Sequence, residues 1–151
     1  MEVKMTRLIP PVLFLILLAA LVPLYAFHPT TLVMRSDAAM PWDVPLALGI
    51  TVLAWAFVHF KNKDAEIHTF KQPKALITDG PFRFSRNPMY LGFFLLLLAA
   101  AFIVNAWCAL LSPLAFLLAA MFWYIPHEER RMRSSFGAAY DDYAWTTRRW
   151  I

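Results

Sequence analysis

The fold is decided by one long apolar stretch, residues 89–125, which reads MYLGFFLLLLAAAFIVNAWCALLSPLAFLLAAMFWYI. A helix that crosses a bilayer needs roughly 20 apolar residues, so this stretch is nearly long enough for two crossings. The polar Asn105 interrupts it near the middle, and Trp107, an aromatic residue typical of membrane interfaces, follows. The stretch therefore predicts a tight helical hairpin with crossings at residues 89–104 and 106–125.

Two further apolar segments precede the hairpin, at residues 8–27 and 44–60. The first follows Lys4 and Arg7, as a secretory signal peptide would, but it is longer than the usual signal core and no small-residue cleavage site follows it. We therefore interpret it as a retained helix. The chain is 60% hydrophobic and only 16% charged, a composition that predicts an all-α, polytopic integral membrane protein. We expect one domain over residues 1–151, with four transmembrane helices, a C-terminal helical hairpin and a cytoplasmic amphipathic tail.

The basic residues predict the orientation of the helices. The sequence has 14 lysines and arginines, and all but Arg35 fall in segments that four crossings place on the same side. Because lysine and arginine accumulate on the cytoplasmic side, both termini are expected in the cytoplasm, with the protein in the cell inner membrane. The basic residues form no long tract with interleaved aromatics, so we expect the lipid bilayer and not nucleic acid as the partner.

Several chemistries are excluded by counting. Cys108 is the only cysteine, which rules out a disulfide framework and cysteine-based metal sites. The four histidines are scattered and form no HxxxH-type pair, so no metal is expected. The chain also lacks a glycine-rich phosphate loop, a GxSxG motif and a dinucleotide fingerprint.

A polar corner, residues 80–92, leads into the third crossing and reads GPFRFSRNPMYLG. Arg86 precedes Asn87 and Pro88, and proline favours the first turn of a helix. The start of a helix carries free amides and a partial positive charge. An arginine beside such a start predicts a site for a carboxylate.

Glu128 and Glu129 stand where the fourth crossing ends, on the same side as this corner. Neighbouring residues on a helix point about 100° apart, so at most one of these carboxylates should face a given ligand. That one could accept hydrogen bonds from ribose hydroxyls or an amino group, while the other could pair with Arg86 or Arg133. The following tail, residues 136–143 and 148–151, mixes aromatic and basic residues as an interfacial anchor does.

These motifs resemble those of the isoprenylcysteine carboxyl methyltransferase-like membrane proteins and the related phospholipid methyltransferases. Residues 80–92 are similar to the family signature G-x-Y-x-x-x-R-H-P-x-Y-x-G, and residues 128–143 are similar to its E-E…F-G-x-x-Y-x-x-Y tail. The resemblance covers roughly residues 68–151. It implies S-adenosylmethionine as the methyl donor and a methyltransferase whose acceptor is most similar, by family, to an isoprenylcysteine-like carboxylate.

The resemblance also implies residue roles. The implied donor-binding residues are Gly80, Pro81, Phe82, Asn87, Gly92, Phe93, Phe94, Leu95 and Glu128. The residues implied in catalysis are Arg86, Tyr90 and Glu129. Arg86 and Tyr90 would face the acceptor or the carboxylate of the donor, and Glu129 could take a proton from an amine acceptor. Aromatic faces beside the site suit a sulfonium cation.

Two positions depart from the family pattern. Asn87 stands where the family has histidine, so a histidine cannot transfer protons there. Tyr124 stands where eukaryotic carboxyl methyltransferases have a substrate-binding arginine, four residues before the first matched glutamate. We therefore expect a different acceptor, small or lipophilic, that enters sideways from the bilayer.

Three alternatives remain open at this level. A phospholipid amine N-methyltransferase would need a proton acceptor such as Glu129. An NADPH-dependent enzyme similar to the sterol reductases would need an arginine cluster, for which residues 130–133 are the only candidate. A non-catalytic membrane scaffold would keep the fold without turnover.

Overall fold

The computed structural model of the protein describes residues 9–27, 41–62 and 75–151. Six α-helices occur there: α1 (Pro10–Ala26), α2 (Asp43–Asn62), α3 (Pro88–Val104), α4 (Leu111–Ala119), α5 (Ile125–Phe136) and α6 (Ala138–Thr146). Short 3₁₀ turns cover Gly80–Arg83 and Trp107–Leu110. No strand occurs in these residues, which confirms the predicted all-α class. The basic residues used for the orientation that lie outside the described residues are Lys4, Arg7, Arg35, Lys63, Lys71 and Lys74.

The central helix is α3, which packs against α1, α2 and α4. Its most extensive contact is with α2, where two glycines allow a close crossing. A Cβ added at Gly92 would lie 2.9 Å from the Leu53 Cβ and 3.2 Å from the Gly49 backbone oxygen. Small residues at such crossings are typical of helices that associate within a bilayer, where close van der Waals contact drives packing.

This crossing gives a stability prediction. Gly92→Ala should lower the free energy of unfolding by about 1–3 kcal/mol, because the new methyl group meets α2 atoms that cannot move aside. Gly49→Ala is the comparison and should cost less, since its Cβ would meet Leu96 Cδ2 at 3.0 Å and Leu95 Cβ at 3.1 Å, with no backbone atom among its three nearest contacts. Thermal unfolding of the two variants in one detergent checks the order. Equal losses would contradict the rigid contact at Gly92.

The predicted hairpin turn is confirmed at Asn105. This residue adopts the left-handed conformation with φ 54°, and its amide donates hydrogen bonds to the carbonyls of Ala101 and Phe102. Asparagine tolerates this conformation better than most residues. The chain then reverses into the Trp107–Leu110 turn, and Ala101, Ala106 and Ala109 form a small buried cluster with Leu21 of α1.

The returning helix is continuous from Trp107 to Phe136 and includes α4 and α5. A π-helical turn, Ala120–Tyr124, joins the two just before Pro126. Proline lacks the amide hydrogen and clashes with the carbonyl four residues earlier, so a wider turn at this point relieves both problems. The helix therefore extends past the predicted crossing at 106–125 and carries Glu128 and Glu129 beyond its apolar part.

The outer surface of the helices is apolar. Large side chains are exposed on α1, α2 and α4, including Leu15, Val58 and Leu114. Exposed apolar surface of this extent marks contact with a membrane or partner. In the described residues, Asp43–Asn62 and Trp107–Phe136 are long and apolar enough to cross a membrane, by length and composition. The apolar α1 and α3 are shorter, at 17 residues each.

Candidate active site

A cavity of about 660 Å³ lies where the beginnings of α1 and α3 meet the second half of α2 and the last third of the returning helix. Its volume is in the range of ligand-binding pockets, about 300–1,000 Å³. The residues that line it are Ile9, Pro10, Pro11, Ile50, Leu53, Ala54, Phe57, Phe60, Phe82, Arg86, Asn87, Pro88, Met89, Tyr90, Phe93, Leu96, Glu128, Arg131 and Met132.

The cavity has two chemically different parts. α1 and α2 contribute only apolar side chains, which form the apolar wall (Ile9–Pro11, Ile50, Leu53, Ala54, Phe57 and Phe60). The polar corner (residues 80–92, which includes the first turn of α3) and α5 contribute the polar end (Arg86, Asn87, Tyr90, Glu128 and Arg131). A ligand that fits both parts must combine a polar or charged group with a large apolar one.

Tyr90 and Glu128 form a hydrogen-bonded pair at the polar end. The Tyr90 hydroxyl donates to Glu128 Oε1 at 2.9 Å, and the Tyr90 ring stacks on Tyr124 with centroids 6.1 Å apart. Tyr90 is buried among Leu97, Phe116 and Ile125 in the main core cluster. Packing therefore holds Tyr90 in place, and Tyr90 in turn orients the Glu128 carboxylate in the cavity.

Glu129 lies on a different side of α5 and is bound by two arginines. Arg149 donates to it from Nε at 3.0 Å and from Nη2 at 2.6 Å, the paired geometry that suits a carboxylate. Arg86 Nη1 lies 3.2 Å from Glu129 Oε1 and 3.4 Å from the Tyr140 hydroxyl. The hydrogen bonds to Glu129 raise the pKa of Arg149. The structure thus separates the two carboxylates, with Glu128 lining the cavity and Glu129 in this charged cluster.

The C-terminal tail is tied to the polar corner by main-chain contacts. The Asn87 side-chain amide donates to the Arg149 carbonyl at 2.9 Å, and the Arg86 amide donates to the Arg148 carbonyl at 3.0 Å. Tyr143 donates from its hydroxyl to the Phe82 carbonyl at 2.6 Å. Burial, and then the neighbouring Tyr140, raise the pKa of Tyr143, so its phenol stays protonated and able to donate. The tail therefore packs against the polar corner and holds it from the side away from the cavity lining.

The beginning of the corner is shaped by a glycine. Gly80 has φ +60°, and a Cβ there would lie 2.8–2.9 Å from the His59 ring. His59 Nε2 lies 3.0 Å from Asp79 Oδ1. Glycine is therefore required both by the backbone conformation and by the closeness of α2. This contact fixes the corner against the end of α2.

The structure brings together six of the predicted site residues. Those that line the cavity are Phe82, Arg86, Asn87, Tyr90, Phe93 and Glu128. Six others lie outside its lining: Gly80, Pro81, Gly92, Phe94, Leu95 and Glu129. Gly80 and Gly92 provide close helix contacts, and Phe94 packs on the main core cluster.

Sequence reasoning missed the contributions of α1, α2 and the tail. The wall from α1 and α2 carries no motif, because any apolar residue can line it. Arg149 looked like one more interfacial arginine, and Arg131 like part of a basic cluster. Among residues 9–27, 41–62 and 75–151, no group of three or more His, Cys, Asp or Glu side chains could hold a metal ion.

The apolar helices and the cavity define a helical membrane protein with a cavity at one end of its bundle. The profile of the phospholipid methyltransferase family matches residues 43–139, and the chain belongs to that family. This confirms the resemblance inferred from the two motifs and makes the protein a member of a family of membrane methyltransferases. The match includes α2 and ends before Tyr140. No curated protein and no solved structure matches the chain in the same comparisons.

Proposed function

We propose that this protein transfers a methyl group from S-adenosylmethionine to a lipophilic acceptor that reaches the cavity from the bilayer. The observation that carries the proposal is the cavity itself, which joins an apolar wall on α1 and α2 to a polar end with Arg86 and Glu128. Family membership supplies the reaction class. The apolar wall supports an acceptor with a large hydrocarbon part.

The polar end offers the groups that S-adenosylmethionine requires. Arg86 lines the cavity, and its Nε is buried with no hydrogen-bond partner in the described part of the chain. A carboxylate of the donor would pair with the guanidinium where Arg86 lines the cavity and offset its charge. Glu128 can accept from ribose hydroxyls, and Phe82, Phe93 and Tyr90 offer aromatic faces to a cation. When bound, this donor supplies a methyl group on a positively charged sulfur.

The protein's own contribution is alignment and exclusion of water. Methyl transfer proceeds in line, so holding the two reactants aligned in one cavity, with water displaced by the bound ligands, would supply much of the acceleration. Arg86 and Glu128 would fix the donor at the polar end, while the apolar wall would fix the acceptor. A carboxylate acceptor needs no deprotonation, since it is already ionised at neutral pH.

An amine of a phospholipid is the second candidate acceptor, favoured by the description of the matched family. This reaction needs a group that receives the amine proton. Glu129 was expected to do so, but it is held by Arg86 and Arg149, whereas Glu128 lines the cavity. For an amine acceptor we therefore assign proton acceptance to Glu128. Alkaline treatment of the labelled product distinguishes the two, because a methyl ester releases methanol and an N-methyl group is stable.

We further propose that all four apolar helices cross the inner membrane with the cavity on the cytoplasmic side. Basic residues in the described part of the chain support this orientation, since they lie in the segments at the cavity end. They are Lys61, Arg83, Arg86, Arg130, Arg131, Arg133, Arg148 and Arg149. Lysine and arginine at one end of a bundle mark the cytoplasmic face.

Binding of S-adenosylhomocysteine to the full-length protein in detergent, followed by calorimetry, tests the donor assignment. Arg86→Ala and Glu128→Gln should each weaken binding at least about tenfold, because each removes a charged hydrogen-bonding group from the cavity. Asp141→Asn, on the exposed surface of α6, is the control and should bind as the wild type does. A folded wild-type protein that binds neither S-adenosylhomocysteine nor S-adenosylmethionine would overturn the proposal.

A further inference from the structure

The charged cluster of Arg86, Glu129 and Arg149 contains two cations and one carboxylate. Glu129 is buried, with 9% of its side chain exposed, and Arg86 is nearly so, at 13%. Arg149 engages both Glu129 oxygens, at 3.0 and 2.6 Å, and leaves Arg86 a single contact of 3.2 Å. The shorter, paired contact belongs to Arg149, so the charge of Glu129 is balanced mainly from the tail.

This arrangement leaves the charge of Arg86 only partly compensated. Both of its side-chain contacts, to Glu129 and to Tyr140, use Nη1. Nε is buried and has no hydrogen-bond partner in the described part of the chain. A buried cation with an unsatisfied donor is costly, and an anionic ligand group would remove that cost.

We propose that Arg149 is a positioning residue for donor binding. By occupying both oxygens of Glu129, it limits Glu129 to one longer contact with Arg86 and leaves the Arg86 guanidinium able to bind a ligand carboxylate in the cavity. The proposal rests on the proposed function, because the carboxylate is that of the methyl donor. It assigns a role to a residue that lies beyond the family match, which ends at residue 139.

The alternative is that Arg149 only fastens the tail to the corner. Other hydrogen bonds already hold the tail against the corner. One is donated by the Asn87 side-chain amide to the main-chain carbonyl of Arg149, so it does not depend on the side chain of residue 149. Tyr143 and its 2.6 Å bond to the Phe82 carbonyl also remain when that side chain is shortened. Removing the Arg149 guanidinium therefore tests its charge more than the position of the tail.

Two ligands that differ in the donor carboxylate measure how much that group contributes to binding. S-adenosylhomocysteine carries it, and the decarboxylated analogue of S-adenosylhomocysteine keeps the amine and lacks it. Arg149→Ala should weaken the first at least about tenfold, because both Glu129 oxygens are then free to pair with Arg86 in competition with the ligand. Affinity for the decarboxylated analogue should stay within about twofold of wild type. Arg148→Ala is the matched control, since that neighbouring side chain is exposed and, within residues 9–27, 41–62 and 75–151, donates to the Ile151 carbonyl at 3.5 Å.

The outcomes separate the two proposals. If the wild type binds S-adenosylhomocysteine and Arg149→Ala weakens both ligands equally, or neither, the positioning role is wrong while the proposed function stands. If the wild type does not bind S-adenosylhomocysteine, the proposed function fails, and the positioning role fails with it. Arg149→Lys keeps the charge but not the paired geometry, so it should show a smaller loss confined to S-adenosylhomocysteine. It supplies the same comparison if Arg149→Ala does not fold.

Discussion

Replacing Glu129 with alanine is expected to lower the free energy of unfolding by about 3–5 kcal/mol, because it leaves two cations facing each other without their shared carboxylate. Glu129 is buried and lies 3.2 Å from Arg86 Nη1 and 2.6 Å from Arg149 Nη2. Arg149 is 40% exposed and can reach solvent, so the loss should lie near the lower end of that range. Thermal unfolding in detergent should show a midpoint lower by about 6–12 °C.

An exposed ion pair between α5 and α6 provides the control for Glu129→Ala. Arg133 Nε lies 3.0 Å from Asp141 Oδ1, a similar distance, but both side chains are more than half exposed. Asp141→Ala should therefore cost less than about 1 kcal/mol. If the two substitutions lower the unfolding midpoint equally, burial of the Glu129 cluster does not determine its contribution.

The helical hairpin could be predicted from sequence because its cause is local. The apolar stretch is interrupted by one residue, Asn105, that accepts a left-handed backbone, and the structure turns there. The end of the second arm could not be predicted in the same way. Hydropathy ends near Ile125, whereas the helix continues through Pro126 to Phe136 because a π-helical turn accommodates the proline.

The candidate site could be predicted from sequence where the spacing of two residues along a helix fixes their relative orientation. The angular offset of Glu128 and Glu129 on a helix predicts that they face different ways, and they do. Which of them faces the cavity depends on the rotation of α5 against α3. That rotation is set by packing among Tyr90, Phe116 and Tyr124, which no sequence spacing reveals.

The tail was the least predictable part, because its contacts are long-range. Arg148 and Arg149 are chemically identical neighbours, yet Arg149 reaches Glu129 and Arg148 stays exposed. The choice depends on the sharp reversal at Gly137, with φ +52°, which folds α6 back along α5. A sequence reading therefore recognises the basic tail but not the residue that enters the charged cluster.

The second prediction with a large expected effect concerns the apolar wall. It distinguishes the place where the acceptor binds from the place where the donor binds. Ala54→Trp places an indole on the α2 side of the cavity, away from the polar end. If the acceptor's hydrocarbon part lies against this wall, transfer of labelled methyl groups to lipid-extractable material should fall by about a hundredfold, because a displaced acceptor loses its alignment. S-adenosylhomocysteine binding should remain within about twofold of wild type, since Arg86 and Glu128 are untouched.

Val58→Trp is the matched control for Ala54→Trp, because Val58 is exposed on the same helix and is not among the cavity-lining residues. It adds the same side chain to α2 while leaving the cavity unchanged, so methyl transfer should persist. Loss of transfer in both variants would mean that α2 tolerates no added bulk. Loss of donor binding with Ala54→Trp would mean that the donor itself extends along the apolar wall. Transfer lost with Ala54→Trp alone, with donor binding intact, would place the acceptor between α1 and α2, where a lipid tail could reach the methyl group without leaving the membrane.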